Sequence, residues 1–554
     1  MQRTPRNLVR WLFSADSGPR NRFAPRWFFL RALAAIYFSA FLALAFQIKG
    51  LIGPNGVLPA QHFLNAVAQN TGSLRFYYVP SLFWISANSH AMIAVTWLGI
   101  LASIGAFANA WPRLSFFLCF ICFLSFVTAA GDFSGYQSDG MLLEAGFLAL
   151  FFTPRGLWPG WGLNSPPVRA SLFLLLFEWF RIYFESGIGK LLSGDPEWRH
   201  LTAMDDYYQN GPLPTWIGWY VQHLPHWFQV ASAGGTLVLE IAIVWMLFLP
   251  RRIRLICFFI VTPWEIGVIL TANYAFLNYL VLFLGFLLLD DRSVRWLIPA
   301  RFRFEPQPSP ESSESEDEAL SILSTRADES ATAPTPTRKP VVVRGFRAHF
   351  QAIRLALVTV MLSWIAYVTT AEMLRMPWPE FPLLTQPIAA LEPFRIANQY
   401  GLFEVMTRGR YEVEFQGSND GKTWTPYLFL HKPQALNEAP GIYAPYQPRF
   451  DWNLWFASLT DWDQANIVPL TEERLLQGDP DVLALFRANP FPQAPPRYVK
   501  AVLWQYWFTS MEEKRQTGNW WRREMLGLYA PVLTKAPNGR YSAVEMPQPL
   551  PPHN

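Results

Sequence analysis

Long apolar runs fill much of the first 370 residues and limit what this chain can fold into. A run of about 20 residues with few charges is long enough to cross a bilayer as an α-helix. Six such runs are clear: 27–48, 91–109, 113–130, 229–250, 273–290 and 351–371. Three weaker runs are short or carry charges: 141–153, 170–187 and 254–271. The sequence therefore predicts a multi-pass α-helical membrane protein with about nine spans.

The distribution of arginine predicts the orientation. Loops on the cytoplasmic side of a membrane carry an excess of Lys and Arg. Residues 1–26 hold six arginines, and nine crossings place most other loop arginines on the same side. We therefore expect a basic cytoplasmic N-terminus over 1–26, a transmembrane helical domain over 27–300, and a carboxyl end on the opposite side.

The composition changes twice after residue 300. Residues 301–347 are rich in Ser, Glu and Pro, which predicts a disordered acidic linker in the cytoplasm. A last transmembrane helix is expected over 348–372. Residues 373–554 contain no spanning run, and Tyr411, Val413 and Phe415 alternate with glutamates, which is strand periodicity. We predict an extracytoplasmic β-rich (α+β) domain there, with a hairpin turn at 418–421 and a helix near 470–487.

Several classes of function find no support in the sequence. The formal net charge is +4, and we find no basic stripe that would indicate nucleic-acid binding. The three cysteines lie inside apolar runs and predict neither a disulfide framework nor a zinc site. We therefore predict no metal and no cofactor.

Charged residues inside the apolar runs are the first candidates for a functional site, because charges are costly in a membrane. Glu178, Arg181 and Glu185 share one helix face, and Lys190 follows at the outer end. These four are either a polar site near the outer leaflet or a neutral ion-pair network. Three other carboxylates sit alone in apolar runs and are expected to have structural partners: Glu144, Glu240 and Glu265.

The loop 188–228 is the second candidate. It contains four tryptophans and the adjacent pair Tyr207 and Tyr208. Such a density of Trp and Tyr is typical of a membrane–water interface. The loop is therefore either an amphipathic interfacial hairpin or a recognition surface.

Several motifs resemble the lipase maturation factor family of multi-pass membrane proteins. They are GYQSD at 135–139, LLEAGFL at 142–148, SGIGKL at 186–191, EWR at 197–199, LTAM at 201–204, PLP at 212–214, HLP at 223–225 and RFDWNLWFA at 449–457. The resemblance implies a membrane protein of the secretory pathway that helps secreted lipases reach their active form. It also implies that the outward C-terminal domain meets the client.

A second resemblance covers a shorter stretch. The segment from Tyr183 to Trp198 is similar to the membrane domain of the vitamin K-dependent γ-carboxylase. In that family a lysine at the position of Lys190 acts as a base on a quinol. This chain has Gly189 where that family has a second lysine.

Two functions follow as hypotheses. The first is a non-enzymatic, chaperone-like factor for secreted lipases or other exported proteins. Its candidate client contacts are Trp198, Tyr207, Tyr208, Trp219, Arg449, Trp452 and Trp455, although the motif around Arg449 is more readily explained as a buried fold signature. The second is a membrane enzyme that acts on a quinone or lipid, with Lys190 as base and Glu144 and Glu185 beside it.

The location follows from the topology. The protein is expected in a bacterial cytoplasmic membrane with its C-terminal domain in the periplasm, or in the ER membrane with that domain in the lumen. Membrane lipid and an exported client are the expected partners. The identity of the client and the oligomeric state stay open.

Overall fold

The structure is a computed structural model that describes residues 5–300, 303 and 345–551. The predicted acidic linker, 301–347, therefore lies almost wholly outside the described residues. Two parts are apparent in the described chain. The first is a set of apolar helices, and the second is a mixed domain built on one antiparallel sheet.

The helices of the first part follow the apolar runs. They are α1 Pro5–Phe13, α2 Phe23–Ile52, α3 Ala60–Thr71, α4 Ser89–Phe107, α5 Pro112–Val127, α6 Gln137–Phe152, α7 Arg169–Leu192, α8 Met204–Asn210, α9 Trp216–Gln222, α10 His226–Ile241, α11 Arg251–Thr271, α12 Leu277–Gly285 and α13 Gly345–Arg375. Single helical turns lie between several of them, among them Arg75–Tyr78, Pro196–Arg199 and Asp291–Val294, and another, Gln386–Ala389, follows α13.

The prediction of a multi-pass membrane protein is confirmed, but the count of nine spans is not. By length and composition, five helices of the described chain could cross a bilayer: Phe23–Ile52, Ser89–Phe107, His226–Phe248, Arg251–Thr271 and His349–Arg375. Pro112–Val127 and Leu277–Leu288 are apolar but shorter. The other two predicted spans form α6 and α7. The first has 16 residues, and the second carries four charged side chains between Glu178 and Lys190.

Helix α2 lies at the centre of the membrane part, with most of its side chains buried. Helix α2 approaches its neighbours closely where those neighbours carry glycine, which has no side chain. A Cβ on Gly99 of α4 would lie 2.4 Å from the ring of Phe41, and one on Gly146 of α6 would lie 1.9 Å from the hydroxyl of Tyr37. Interiors are packed densely enough that such contacts leave no room for a methyl group.

The C-terminal domain is built on a five-stranded antiparallel sheet. Its strands are β1 Arg410–Ser418, β2 Thr425–Pro426, β3 Tyr498–Phe508, β4 Trp521–Lys535 and β5 Tyr541–Glu545, in the order β2-β1-β3-β4-β5. The helices of this domain are α14 Arg449–Ala457, α15 Ile467–Gln477, α16 Met511–Thr517 and the single turn Pro480–Leu483. The prediction of a soluble β-rich part is confirmed in this form.

The predicted hairpin is present only at its base. After β1 the chain turns back, and β2 pairs with β1 only through Pro426 with Gln416 and Thr425 with Gly417. The chain then leaves the sheet. The main partner of β1 is β3, which pairs along its whole length. The glutamates of β1 are buried rather than exposed, because Glu412 binds Lys432 at 2.8 Å and Glu414 binds Arg523 at 3.2 Å.

The expected helix near 470–487 is interrupted. Helix α15 ends at Gln477, and the next residue, Gly478, adopts the left-handed conformation with φ of +67°. Asp479 then caps the short turn Pro480–Leu483. Glycine adopts this conformation at little cost, so the break is set by the sequence Gly-Asp-Pro.

The two parts share one core. A single cluster of buried apolar side chains runs from the membrane helices into the sheet domain. The sheet domain is therefore packed against the membrane part rather than tethered by a linker.

Candidate functional site

Helix α7 carries the charged residues that the sequence singled out. Glu178, Arg181, Glu185 and Lys190 are all 2% exposed or less. Helical periodicity turns the first three toward one side of α7, where α6 packs. The helix thus presents a row of buried charges to its neighbours.

Arg181, Glu185 and Lys190 belong to two ion-pair groups rather than one, and Glu178 takes part in neither of these groups. The guanidinium of Arg181 pairs with Glu144 of α6 and lies 3.7 Å from Glu185. Lys190 instead binds Glu240 of α10, at 2.9 and 3.1 Å to its two oxygens. The expectation that Glu144 and Glu240 have structural partners is confirmed. Glu265 has partners too, since it accepts hydrogen bonds from Tyr183 at 2.5 Å and Asn278 at 2.6 Å.

A segment of the C-terminal part completes both groups. We call residues 396–410 the docking segment. The backbone N–H of Asn398 donates to Glu144 at 3.0 Å, and that of Tyr400 donates to Glu185 at 2.6 Å. The Tyr400 hydroxyl also donates to Glu144 at 2.8 Å. Burial raises the pKa of Tyr400 well above its usual value, so this hydroxyl keeps its proton.

The next residues of the docking segment continue along the outer end of α7. The ammonium of Lys190 donates to the carbonyl of Leu402 at 2.9 Å, and the indole of Trp198 donates to that of Phe403 at 2.9 Å. Asp195 accepts from the N–H of Met406 at 2.6 Å. The backbone of the docking segment thus provides hydrogen-bond partners for charged groups of the membrane part.

Arg410 ends the docking segment and begins β1. Its guanidinium is fully buried and donates to the carbonyls of Gln209 and Pro212 at 3.0 and 3.1 Å. Burial lowers its pKa below the usual value, and the adjacent Glu412 opposes that effect. This arginine ties the sheet to the loop between α8 and α9.

A second contact lies at α14, within the motif RFDWNLWFA. Arg449 binds both oxygens of Asp139 at 2.8 and 2.7 Å and donates to the carbonyl of Phe133 at 2.7 Å. Asn453 donates to the hydroxyl of Tyr136 at 2.6 Å. The motifs at 135–139 and 449–457, which are far apart in sequence, therefore meet at one interface.

A cavity of about 680 Å³ lies beside Lys190. We call it the lateral cavity. Its walls come from helices α7 to α12, Trp198 and residues 402–403. Most of the lining is apolar or aromatic, and the ionisable groups at its wall include the Lys190–Glu240 pair and Glu265. Tyr183 also lines it, whereas Glu144 does not and lies on the other side of α7 with Arg181.

The seven candidate client contacts are buried. None is more than 9% exposed: Trp198, Tyr207, Tyr208, Trp219, Arg449, Trp452 and Trp455. Tyr207, Tyr208 and Trp198 line the lateral cavity, and the Trp455 indole donates to Asn210 at 3.1 Å. In this conformation six of them join the two parts of the chain: Trp198, Tyr207, Trp219, Arg449, Trp452 and Trp455. A role in client contact stays a prediction and would require them to become exposed.

Sequence reasoning missed three residues that matter here. Asp139 was named only as part of the motif at 135–139; it lies in the first turn of α6 and is the partner of Arg449. Asn398 and Arg410 were not singled out, although both bind groups of the membrane part. The sequence signal for Asp139 was its place in the motif at 135–139, next to an apolar run. The other two lie in a segment with no unusual composition.

Comparison with known proteins covers both parts of the chain. A family model described as the lipase maturation factor transmembrane domain matches residues 24–296, and the lipase maturation factor C-terminal domain matches 396–531. Lipase maturation factor 2 of Gallus gallus is 33% identical over 92% of this chain and 81% of its own length. The Homo sapiens protein of that name is 30% identical over 92% of this chain and 82% of its own. Lipase maturation factor 1 of Mus musculus is 29% identical over 97% and 93%. No solved structure gives a significant match.

Proposed function

The chain belongs to the lipase maturation factor family, and we propose that it assists the folding or assembly of secreted lipases or of other exported proteins. The observation that carries this proposal is the extent of the match. Similarity runs through the membrane part and the C-terminal domain, including the interface between them. The alternative of a carboxylase-like enzyme gains no support from these relatives.

The proposed topology supports such a role. We infer that residues 1–26 face the cytoplasm and that 373–554 form a domain in the periplasm or the ER lumen, where an exported client would meet it. The arginines of the N-terminus and of the inner loops support this orientation. In sealed vesicles, protease added to the cytoplasmic side should cleave within 304–340 and spare the sheet domain. Cleavage of the sheet domain instead would contradict this topology and indicate the opposite orientation.

We further propose that the client contacts exposed aromatic side chains of the loop 188–228 rather than the buried ones. Trp216 and Tyr220 of α9 expose 43% and 46% of their surface and lie beside the buried Trp219. Exposed aromatic residues are suited to contacts with a partly folded protein, since they combine a large apolar surface with a polar group.

The test is restoration of lipase secretion in cells that lack their own lipase maturation factor and express a secreted lipase. The chain should raise lipase activity per amount of secreted lipase protein. No rise, with the chain present in the membrane at normal amount, would contradict the proposed function for that lipase.

A matched pair of variants tests the contact surface. Trp216→Ser with Tyr220→Ser should reduce lipase activation and leave the amount of membrane protein unchanged. The control is Trp158→Ser, because Trp158 is 66% exposed and lies in a loop predicted to be cytoplasmic. Equal effects of both changes would contradict the assignment to α9.

A further inference from the structure

The lateral cavity has an entrance between two candidate spans. On α10 the lining includes Ala231 and Gly235, and on α11 it includes Gly267, all of them exposed. A Cβ placed on Gly235 or Gly267 would meet no atom within 4 Å. Because α10 and α11 are apolar enough to lie in a membrane, this entrance faces lipid rather than water. A ligand would therefore arrive from the bilayer.

The charges at the cavity wall are already neutralised or hydrogen-bonded. Lys190 is the sole cation among the described lining residues, and its ammonium binds Glu240 and the Leu402 carbonyl. The two oxygens of Glu265 accept from Tyr183 and Asn278. A lipid phosphate would find no cation without a partner here, and it would bring its charge close to two carboxylates. Burial of such an unpaired charge is strongly unfavourable.

One polar atom at the wall lacks a partner. Asn278 is 8% exposed and lines the cavity, and its Nδ2 donates to Glu265. Its Oδ1 has no hydrogen-bond partner within the part of the chain that the structure describes. A buried amide oxygen is normally satisfied by a donor. This oxygen is itself buried and has almost no surface open to the cavity, so the described wall presents no unpaired charge and only neutralised or hydrogen-bonded polar groups to a ligand.

From these observations we propose that the lateral cavity binds a neutral single-chain lipid, such as a monoacylglycerol. The uncharged headgroup lies against the neutralised polar wall, and the hydrocarbon chain lies among the apolar side chains toward the entrance between α10 and α11. A volume of about 680 Å³ falls within the range of sites that enclose a small ligand. The proposal does not depend on an action on lipases, because it concerns binding alone.

The experiment uses the full chain in vesicles of dioleoylphosphatidylcholine and a monoacylglycerol with a photoreactive group in its chain. After illumination, mass spectrometry should find the label on peptides from α10, α11 or α12. Unlabelled monooleoylglycerol should compete, and lysophosphatidate should need at least about tenfold more for the same effect. Competition by lysophosphatidate at equal concentration would overturn the choice of a neutral headgroup.

Two variants that fill the entrance complete the test. Gly235→Phe and Gly267→Phe place a ring in open space, so the fold should persist while labelling falls by at least about tenfold. The control is Ala94→Phe, which adds the same ring to an exposed position of α4 away from the cavity. Wild-type labelling in both glycine variants, or an equal loss in the control, would overturn the proposed site. A label confined to other helices would overturn it as well.

Discussion

Loss of Arg449 should detach the C-terminal domain from the membrane part. Arg449 and Asp139 are each 1% exposed or less and share two hydrogen bonds of 2.7 and 2.8 Å. In Arg449→Met the carboxylate of Asp139 stays buried without its cation. Removing one partner of a buried pair typically costs about 3–5 kcal/mol, because the remaining charge is uncompensated.

The expected change in melting temperature follows from the size of the domain. Unfolding entropy near 2.1 cal/mol/K per residue gives about 0.4 kcal/mol/K for a unit of roughly 180 residues. A loss of about 3–5 kcal/mol then lowers the melting temperature by about 8–13 °C. The assay is thermal unfolding of the detergent-purified chain, followed by size-exclusion chromatography.

Two further variants make the reasoning refutable. The double variant Arg449→Met with Asp139→Leu removes both charges and should recover most of the loss, since apolar replacements of buried pairs are often neutral. Arg487→Met breaks the exposed pair with Glu438, 42% and 50% exposed, and should cost about 1 kcal/mol or less. The reasoning is refuted if Arg449→Met and Arg487→Met have equal effects, or if the double variant is no more stable than Arg449→Met.

Three more predictions use buried groups elsewhere. Burial raises the pKa of Glu472, so its contribution to stability is full below the ordinary glutamate pKa and is lost as the pH rises. Glu472→Gln should therefore raise the melting temperature at about pH 8 and leave it unchanged at about pH 4, and a pH-independent effect would contradict this. Gly146→Ala should cost about 1–3 kcal/mol by overpacking against Tyr37, and adding Tyr37→Phe should recover part of it in the same thermal assay. Lys190→Met should destabilise by about 3–5 kcal/mol because Glu240 is left unpaired. A stable double variant with Glu240→Leu should still activate lipase, and loss of activation there would indicate a chemical role for Lys190.

The helices could be placed from sequence because their signal is local. Each predicted apolar run coincides with a helix or a pair of helical segments, including the short run 141–153, which forms the latter part of α6. Whether each helix crosses the bilayer depends on its length and on the partners of its charges. That is why the shorter and the charged helices leave the span count unconfirmed.

The pairing of charges could not be predicted in the same way. Periodicity shows that Glu178, Arg181 and Glu185 share a face, but it does not identify the neighbouring helix. Lys190 was grouped with these three, yet its partner Glu240 comes from α10, 50 residues later. The partners in the docking segment are backbone groups, which have no sequence signal.

The aromatic candidates illustrate a different limit. Trp and Tyr are frequent both at membrane interfaces and in buried cores. Trp219 and Trp216 are three residues apart on α9, and one is fully buried while the other is 43% exposed. Composition selected the correct loop for attention, but the exposure of each side chain is decided by how α9 packs against the sheet domain.

The docking segment has a consequence for how the protein is made. Lys190 and its backbone partner Leu402 are separated by 212 residues, which take a ribosome about 10–40 s to add at about 5–20 residues per second. Throughout that interval the carboxylates of Glu144 and Glu185 lie in the nascent membrane part without the amide groups that later bind them. A chain that stops before residue 396 never acquires those groups, so translation must reach the sheet domain before the membrane helices attain their final arrangement.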